Sequence, residues 1–394
     1  LRQLQTPEAA AVLLRHLHDE DDHVRAAVVK ALARLQSAGV AFTVERDDIL
    51  DAAMAEVTHY YRLVVVHTDL GGDGGGRLLD KTLREHMAYA LDRLFHLLGL
   101  IYPDGSMMLV RRAVALENGR YRANAIELLD NVADRDLRAV LLPLLEAPLP
   151  RLLAIATDKF DEHSQSMTAR LTALADNSDP WLRACALFRI GELGLVSLAP
   201  QVTNYLADAS LIVRETAVVV HQHLTTGAPL PWPPTLPTEE SLTMTLSTIE
   251  RVFFLRGVEL FSQVGSEDLV SVAQVCHETY FTAGEQFITQ GDIGDCLYIL
   301  VDGEAKVVLE GPGDIFYRVS RDILGEMAII SRKPRSAHCI AVTPITALRI
   351  DHDDFWELMT EKPALAQGVI KVLASRLDEV VGQLSRTAAP ASHA

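Results

Sequence analysis

At 394 residues the chain is too long for one ordinary hydrophobic core, and two or three domains are expected. With 49% hydrophobic and 23% charged residues it has the balance of a folded globular protein, and its formal net charge of -17 repels nucleic acid and anionic membrane surfaces. Any anion site must therefore be built locally, against the field of the whole. The four cysteines, Cys185, Cys276, Cys296 and Cys339, form no C-x-x-C pair, which argues against a disulfide framework or a zinc site. No apolar run approaches the roughly 18 residues of a membrane span, and no signal peptide opens the chain. Its start on Leu1, directly in amphipathic helical material, is read as the beginning of a piece of a longer protein.

Up to about residue 230, Leu and Ala dominate at helical spacing. Pro7–Leu17 and Val24–Leu35 are predicted as short helices joined by an acidic loop through Asp19–Asp22, read as a solvated turn. Asp48–Val66 and Leu78–Leu98 are predicted as long helices on either side of the glycine cluster Gly71–Gly76. That cluster follows no strand and does not end in Lys-Ser/Thr, so it reads as a loop and not as a phosphate cradle. Arg120–Asp130 and Asp134–Leu145 read as a further helix pair. Asp179-Pro-Trp-Leu-Arg183 opens a helix through Leu193, and Ala209–Arg214 opens another through Leu224. His221 and His223, two residues apart on that helix, direct their rings to different faces, and no metal site is expected there.

Three of these helices share a device. A hydrophobic–Arg pair (Val24-Arg25, Leu182-Arg183, Val213-Arg214) follows shortly after an aspartate (Asp22, Asp179, Asp208). Aspartate caps free N–H groups at a helix start, and an arginine one turn in can reach the acid of a neighbouring repeat. The pattern resembles HEAT repeats, most closely over 7–36 and 165–224. It implies a HEAT-like helical domain over 1–226, an α-solenoid whose pairs cover one another's apolar faces. The proline-rich run Gly227–Pro237 cannot continue a helix and reads as a linker, 227–240.

From Tyr280 the period changes to short strands and glycine turns. Phe281–Asp295 carries Gly284, Gly291 and Gly294; Cys296–Val301 is a buried strand; Asp302-Gly303 turns it into the returning strand Glu304–Leu309. This is the rhythm of a small β-roll or jelly roll. Then comes Ile323-Leu-Gly325-Glu326-Met-Ala-Ile-Ile-Ser-Arg-Lys-Pro-Arg335-Ser336-Ala337. Gly325 permits close backbone approach. A short helical turn from Glu326 opens N–H groups toward an anion. Arg332, Lys333 and Arg335 form a basic knot in an acidic protein, and Arg335 can grip a phosphate with two parallel bonds. Glu326 beside them calls for a donor, such as a ribose hydroxyl.

Gly325-Glu326-Met327-Ala328 and Arg335-Ser336-Ala337, with the upstream glycine frame Gly284…Gly291-Asp292…Gly294-Asp295…Tyr298…Gly303, resemble the phosphate-binding cassette of cyclic-nucleotide-binding domains. These occur in catabolite activator proteins, cyclic-nucleotide-dependent kinases and gated channels. The resemblance covers about 250 to 385 and implies a cyclic-nucleotide-binding domain over 241–386, a flexible tail at 387–394, and a cyclic nucleotide as ligand with no metal. It implies that Glu326 binds the ribose 2′-hydroxyl and Arg335 the cyclic phosphate, with amides of Gly325, Met327, Ala328 and Ala337 completing the shell. Ser336 falls where its hydroxyl meets phosphate or a guanine amino group. Cyclic AMP is favoured over cyclic GMP by similarity to bacterial members.

After a last strand at Ala347–Ile350, Asp353–Thr360 is predicted as a helix and Pro363 to about Leu384 as another. In the family this final helix lids the base and swings on binding. Val369, Val372, Leu373, Arg376, Val380 and Val381 are the lid candidates, although the same stripe serves equally as core or as the seam of a homodimer. The short tail leaves no length for a DNA-binding helix-turn-helix. Nothing resembles a nucleophile elbow, a P-loop or a kinase signature, so a non-enzymatic sensor is expected. The pairing of repeats and roll also resembles bacterial fusions in which both follow a membrane carrier similar to ATP/ADP translocases. That implies a regulatory part on the cytoplasmic side of an attached transporter. The competing expectation is a protein–protein adaptor with a degenerate roll.

Overall fold

The computed structural model describes residues 6–72, 77–102, 105–115, 123, 126–130, 134–230, 246–309, 315–326 and 333–387, with side chains except at 77, 113–115, 315, 376 and 378–387. The described residues fall into two compact units, 1–174 and 175–394. The proline-rich stretch expected as a linker lies inside the second unit, and residues 231–245 are outside the described part.

The first unit is helical: α1 (Pro7–Leu14), α2 (Asp22–Ser37), α3 (Arg46–Asp69), α4 (Arg77–Ile101), α5 (Ser106–Ala115), α6 (Arg135–Glu146), α7 (Leu149–Phe160) and most of α8 (Met167–Ala175). Its core runs along the facing stripes of α2, α3 and α4 through Leu32, Ile49, Val57, Tyr61, Leu94 and Leu98. Tyr61 is fully buried because its hydroxyl donates to Val140 O at 2.9 Å. The cap of α2 is Asp21, whose carboxylate accepts from His23 and Val24 N–H; Asp22 is the first helical residue. The helix predicted at Arg120–Asp130 falls largely on residues outside the described set. Helix α7 was not anticipated; it follows α6 after only Ala147 and Pro148.

The expected Arg-to-acid pairing is present here. Arg25 Nε donates to Glu56 Oε1 at 3.2 Å, and Arg93 Nη2 to Glu56 Oε2 at 2.8 Å, so one carboxylate, 4% exposed, is clamped by two guanidinium groups. Asp69 is held likewise. Its carboxylate accepts from Arg170 Nε at 2.7 Å and Gln165 N at 2.9 Å, and from the Ser164 hydroxyl. Burial opposes ionisation of Asp69, but these hydrogen bonds outweigh it and hold its carboxyl below the ordinary value.

The second unit begins with α9 (Pro180–Glu192), a short α10 (Ala199–Val202) and α11 (Leu211–Thr226). Asp179 caps α9 through Trp181 N–H. Arg183 from α9 grips Asp208 bidentately at 2.7 and 3.1 Å. Ser210, not Asp208, occupies the cap position of α11, while Asp208 accepts from Ser210 N–H at 2.8 Å; Arg214 folds back on the carbonyls of Asp208 and Ala209.

Next come α12 (Thr248–Leu255), a 3-10 turn at Glu259–Phe261 and α13 (Asp268–Val275), in a stretch for which the sequence suggested no elements. Phe253 of α12 lies 5.3 Å from Phe188 of α9, ring centroid to centroid. Glu215 of α11 accepts from Thr248 N–H at 3.0 Å, so it satisfies one of the open donors at the start of α12.

The roll is a sandwich of two four-stranded antiparallel sheets. The strands are β1 (His277–Phe281), β2 (Gln286–Ile288), β3 (Cys296–Asp302), β4 (Ala305–Val308), β5 (Ile315–Arg318), β6 (Ile323–Leu324), β7 (His338–Ala341) and β8 (Ile345–Asp351). One sheet runs β1-β8-β3-β6 and the other β2-β7-β4-β5. β3 sits between β8 and β6 and is buried along nearly its whole length, as its run of Leu, Ile and Val requires. Between the sheets pack Ile288, Leu300, Leu324, Cys339, Ile345 and Ala347. Phe281, Phe287 and Tyr298 form an aromatic corner with centroids 4.4 to 5.6 Å apart. At the β3–β4 hairpin Gly303 takes φ +89°, and a side chain there would strike Pro344 O. Two helices close the chain, α14 (His352–Glu361) and α15 (Pro363–Thr387).

Candidate functional site

The site is built where β3, the end of β6 and the chain before β7 converge. β6 ends at Leu324, and Gly325 turns the chain at φ +87°. A side chain at Gly325 would be doubly excluded, by that angle and by collision with the Arg335 guanidinium. Arg335 enters from the other direction. Its backbone is pinned to the glycine turn expected from the sequence: its N–H donates to Asp292 O at 2.8 Å, and its carbonyl accepts from Gly291 N–H at 2.9 Å. Next to it Pro334 pairs with Ile293 as an isolated bridge.

Its side chain is only 7% exposed. Nη2 donates to Cys296 O at 2.8 Å, with Cys296 Sγ at 3.5 Å, and Nη1 donates to Gly325 O at 3.1 Å. Among the described residues every acceptor of this guanidinium is uncharged. A buried cation held only by neutral acceptors has lost its hydration without gaining a counter-charge. The arrangement fixes the orientation of the fork.

Glu326 follows directly on Gly325 and lines a small cavity with Leu260, Leu297, Phe355, Val369, Val372 and Leu373. Of the expected lid residues, Val369, Val372 and Leu373 face this cavity from α15. The side chains of Arg376, Val380 and Val381, and residues Met327, Ala328 and Arg332, lie outside the described set. Ser336 is exposed and Ala337 is buried. The sequence reading missed Leu260, Leu297 and Phe355. Leu260 could have been sought in the apolar run Val258-Glu-Leu-Phe261, which forms the 3-10 turn against which α15 packs. Gly368 makes that packing feasible, since any side chain there would overlap the Leu260 carbonyl. The cavity has a volume of about 10 Å³, room for about one water. Burial pushes the Cys339 thiol up to about 12, so the cysteine near the arginine is a protonated, inert core residue.

Comparison with known proteins agrees with this fold. Residues 278–362 match the family described as "Cyclic nucleotide-binding domain", and residues 11–38 match "HEAT repeat". Over 107 residues the chain is 34% identical to a cAMP-dependent protein kinase regulatory subunit of Emericella nidulans, which takes in 27% of this chain and 26% of that protein. It is 29% identical over 120 residues to a cyclic nucleotide-gated potassium channel of Rhizobium etli, covering 30% and 33%. Among solved structures, the regulatory domain of Toxoplasma gondii PKA with cAMP is similar at 25% identity and TM-score 0.30, over 34% of this chain and 50% of that one. The chain thus spans about a quarter of the length of the kinase regulatory subunits it matches. Residues 278–362 thus match the cyclic nucleotide-binding domain family, and one stretch of the helical part matches a HEAT repeat.

Proposed function

We propose that this chain is a non-catalytic regulatory module that binds a cyclic nucleotide, cyclic AMP in preference to cyclic GMP, in the 325–337 segment. Arg335 meets the cyclic phosphate, and Glu326 accepts from the ribose 2′-hydroxyl. The amides of Gly325, Met327, Ala328 and Ala337 complete the anion shell, with Ser336 at its edge. The single observation that carries the reading is Arg335, buried and turned inward, with only neutral acceptors among the described residues. The relatives include a cAMP-dependent protein kinase regulatory subunit, which supports the choice of ligand.

A small-molecule site needs roughly 300 Å³ or more, and the cavity beside Glu326 holds about 10 Å³. In this reading α15 leaves the 259–261 turn as the nucleotide enters, and Val369, Leu373, Arg376 and Val380 close over the base. Because the nucleotide favours one position of α15 over the other, it shifts the balance between them. The output passes to the helical repeats, which serve as a docking surface for a protein or for an attached membrane transporter on its cytoplasmic side. Among the described residues no helix is long and apolar enough to cross a membrane. The division into repeats over 1–226, linker over 227–240 and nucleotide domain over 241–386 belongs to the same proposal, as does a homodimer.

The filled cavity is also what an adaptor with a non-binding roll would have, and one titration separates the two. Calorimetry with cyclic AMP and cyclic GMP is expected to show saturable binding in the parent chain. An Arg335→Ala variant should weaken it by about tenfold to a hundredfold, the equivalent of a charged hydrogen bond. Absence of heat with either nucleotide in the parent chain decides for the adaptor.

A further inference from the structure

A second concavity lies wholly in the first unit, far in sequence from the roll. Helices α2, α4 and α5 enclose a groove of about 800 Å³, within the range of small-molecule sites. Its walls carry Lys30 and Arg34 from α2, Arg111 from α5, and Tyr102 just beyond α4. In a chain of net charge -17 this is a local excess of cations.

Lys30 and Arg34 are four residues apart, so they project from one face of α2 about 6 Å apart at Cβ. Both are exposed, and among the described residues neither makes a hydrogen bond or an ion pair. Arg34 lies in the last turn of α2, where the helix dipole favours a cation; Lys30 is a full turn earlier and has no such reason to be basic. Arg111 differs, because Asp92 holds its guanidinium in place. The walls are tied together by Gln36 Nε2, which donates from α2 to Leu100 O on α4 at 3.2 Å. Tyr102 accepts from Arg46 at 2.9 Å, which leaves its own O–H to donate. Gly99 and Gly105 also line the groove, and a side chain added at either would meet nothing within 4 Å. The space is therefore open and not merely a seam between packed helices.

We propose that this groove binds a small polyanion, a molecule with two or more phosphate or carboxylate groups, one held by Lys30 and Arg34 and another by Arg111 with the Tyr102 hydroxyl. Such a ligand fits the paired point charges on one wall and the fixed fork on the other. The site is independent of the nucleotide reading and would make the chain a receiver of two chemical inputs.

The test is calorimetric titration of the whole chain with inorganic pyrophosphate and, separately, with citrate. At least one is expected to bind saturably, and which one does tells phosphate from carboxylate chemistry. A Lys30→Ala/Arg34→Ala double variant should lose about tenfold or more in affinity. Gly99→Leu, which fills the groove and suits a helix, should block binding while circular dichroism stays unchanged. Arg335→Ala should bind as the parent does, and so should Lys159→Ala, a cation on α7 outside the groove. The proposal is overturned if neither probe binds up to about 10 mM, if Lys159→Ala weakens binding as much as the double variant, or if Arg335→Ala alone abolishes it.

Discussion

The helical unit and the turn that carries Arg335 handle buried charge in opposite ways. In the helical unit Glu56 is clamped between Arg25 and Arg93, and Asp69 is closed by Arg170, Gln165 and Ser164. Those charges are neutralised within the fold. In the roll, Arg335 is also buried, yet its hydrogen-bond acceptors among the described residues are the carbonyls of Gly325 and Cys296 and the Cys296 sulfur. The contrast separates two uses of the same residue type. A paired buried arginine ties helices together, whereas under the proposed function Arg335 keeps its charge for a ligand.

Substitutions can break this contrast, and the largest effect is expected at Glu56. Glu56→Gln leaves Arg25 and Arg93 with the more exposed Asp22 as their remaining counter-charge and should cost about 3 kcal/mol in urea unfolding. A loss under about 1 kcal/mol would place the clamp among ordinary surface pairs. Gly368→Ala comes next. It disturbs the seat of α15 on Leu260 while leaving Glu326 and Arg335 untouched, so cyclic AMP affinity should rise about five- to tenfold. A fall would mean that the present position of α15 is already the one that holds ligand. Arg335→Met should leave stability unchanged or raise it by about 1 kcal/mol, because it removes a desolvated cation that no acid among the described residues pairs with. A large loss in the melting experiment would make Arg335 a structural residue like Arg93.

The gentlest probe is acid. Asp69 has its carboxyl below the ordinary 3.8, so its contribution is present above that value and is lost as pH falls through the lowered one. Glu250 on α12 has the opposite sign. Burial raises it above the ordinary 4.5, so its contribution is fully present below 4.5 and declines as pH rises through the raised value. Hydrogen exchange followed from pH 5 down to about pH 3 should loosen the helical unit around α3 and α8 before it loosens α12. Simultaneous loosening would show that the two carboxylates do not govern their surroundings.

The roll was legible because its chemistry is local. Gly325, Glu326 and Arg335 stand within eleven residues, and the glycine turns at Gly291 and Gly303 announce positive φ angles that few other residues adopt. The Arg-to-acid device of the repeats was legible for the same reason at Arg25 and Arg183. It failed at Arg214, whose guanidinium found the carbonyls of its own loop nearer than any neighbouring acid. The apolar partners of Glu326 were not legible. Leu260 and Phe355 reach the cavity from segments on either side of the roll, and no periodicity in a short 3-10 turn identifies which residue will touch a glycine more than a hundred positions later. Helices α12 and α13 were missed because eight residues give only two turns of pattern.

One small contact bears on how this protein can be dissected. Glu215, on the last repeat-like helix, closes the open amide of Thr248 at the head of α12, and the Phe253 ring packs at a tilt against Phe188 beyond it. A cut through the proline-rich stretch, the obvious place to excise the roll, would strip α12 of that acceptor and bare an aromatic ring to water. A recombinant piece beginning near residue 246 should therefore aggregate, whereas one beginning at 175 carries its own cover and should remain monodisperse. The practical boundary of the ligand-binding piece is drawn by a borrowed cap and not by the prolines.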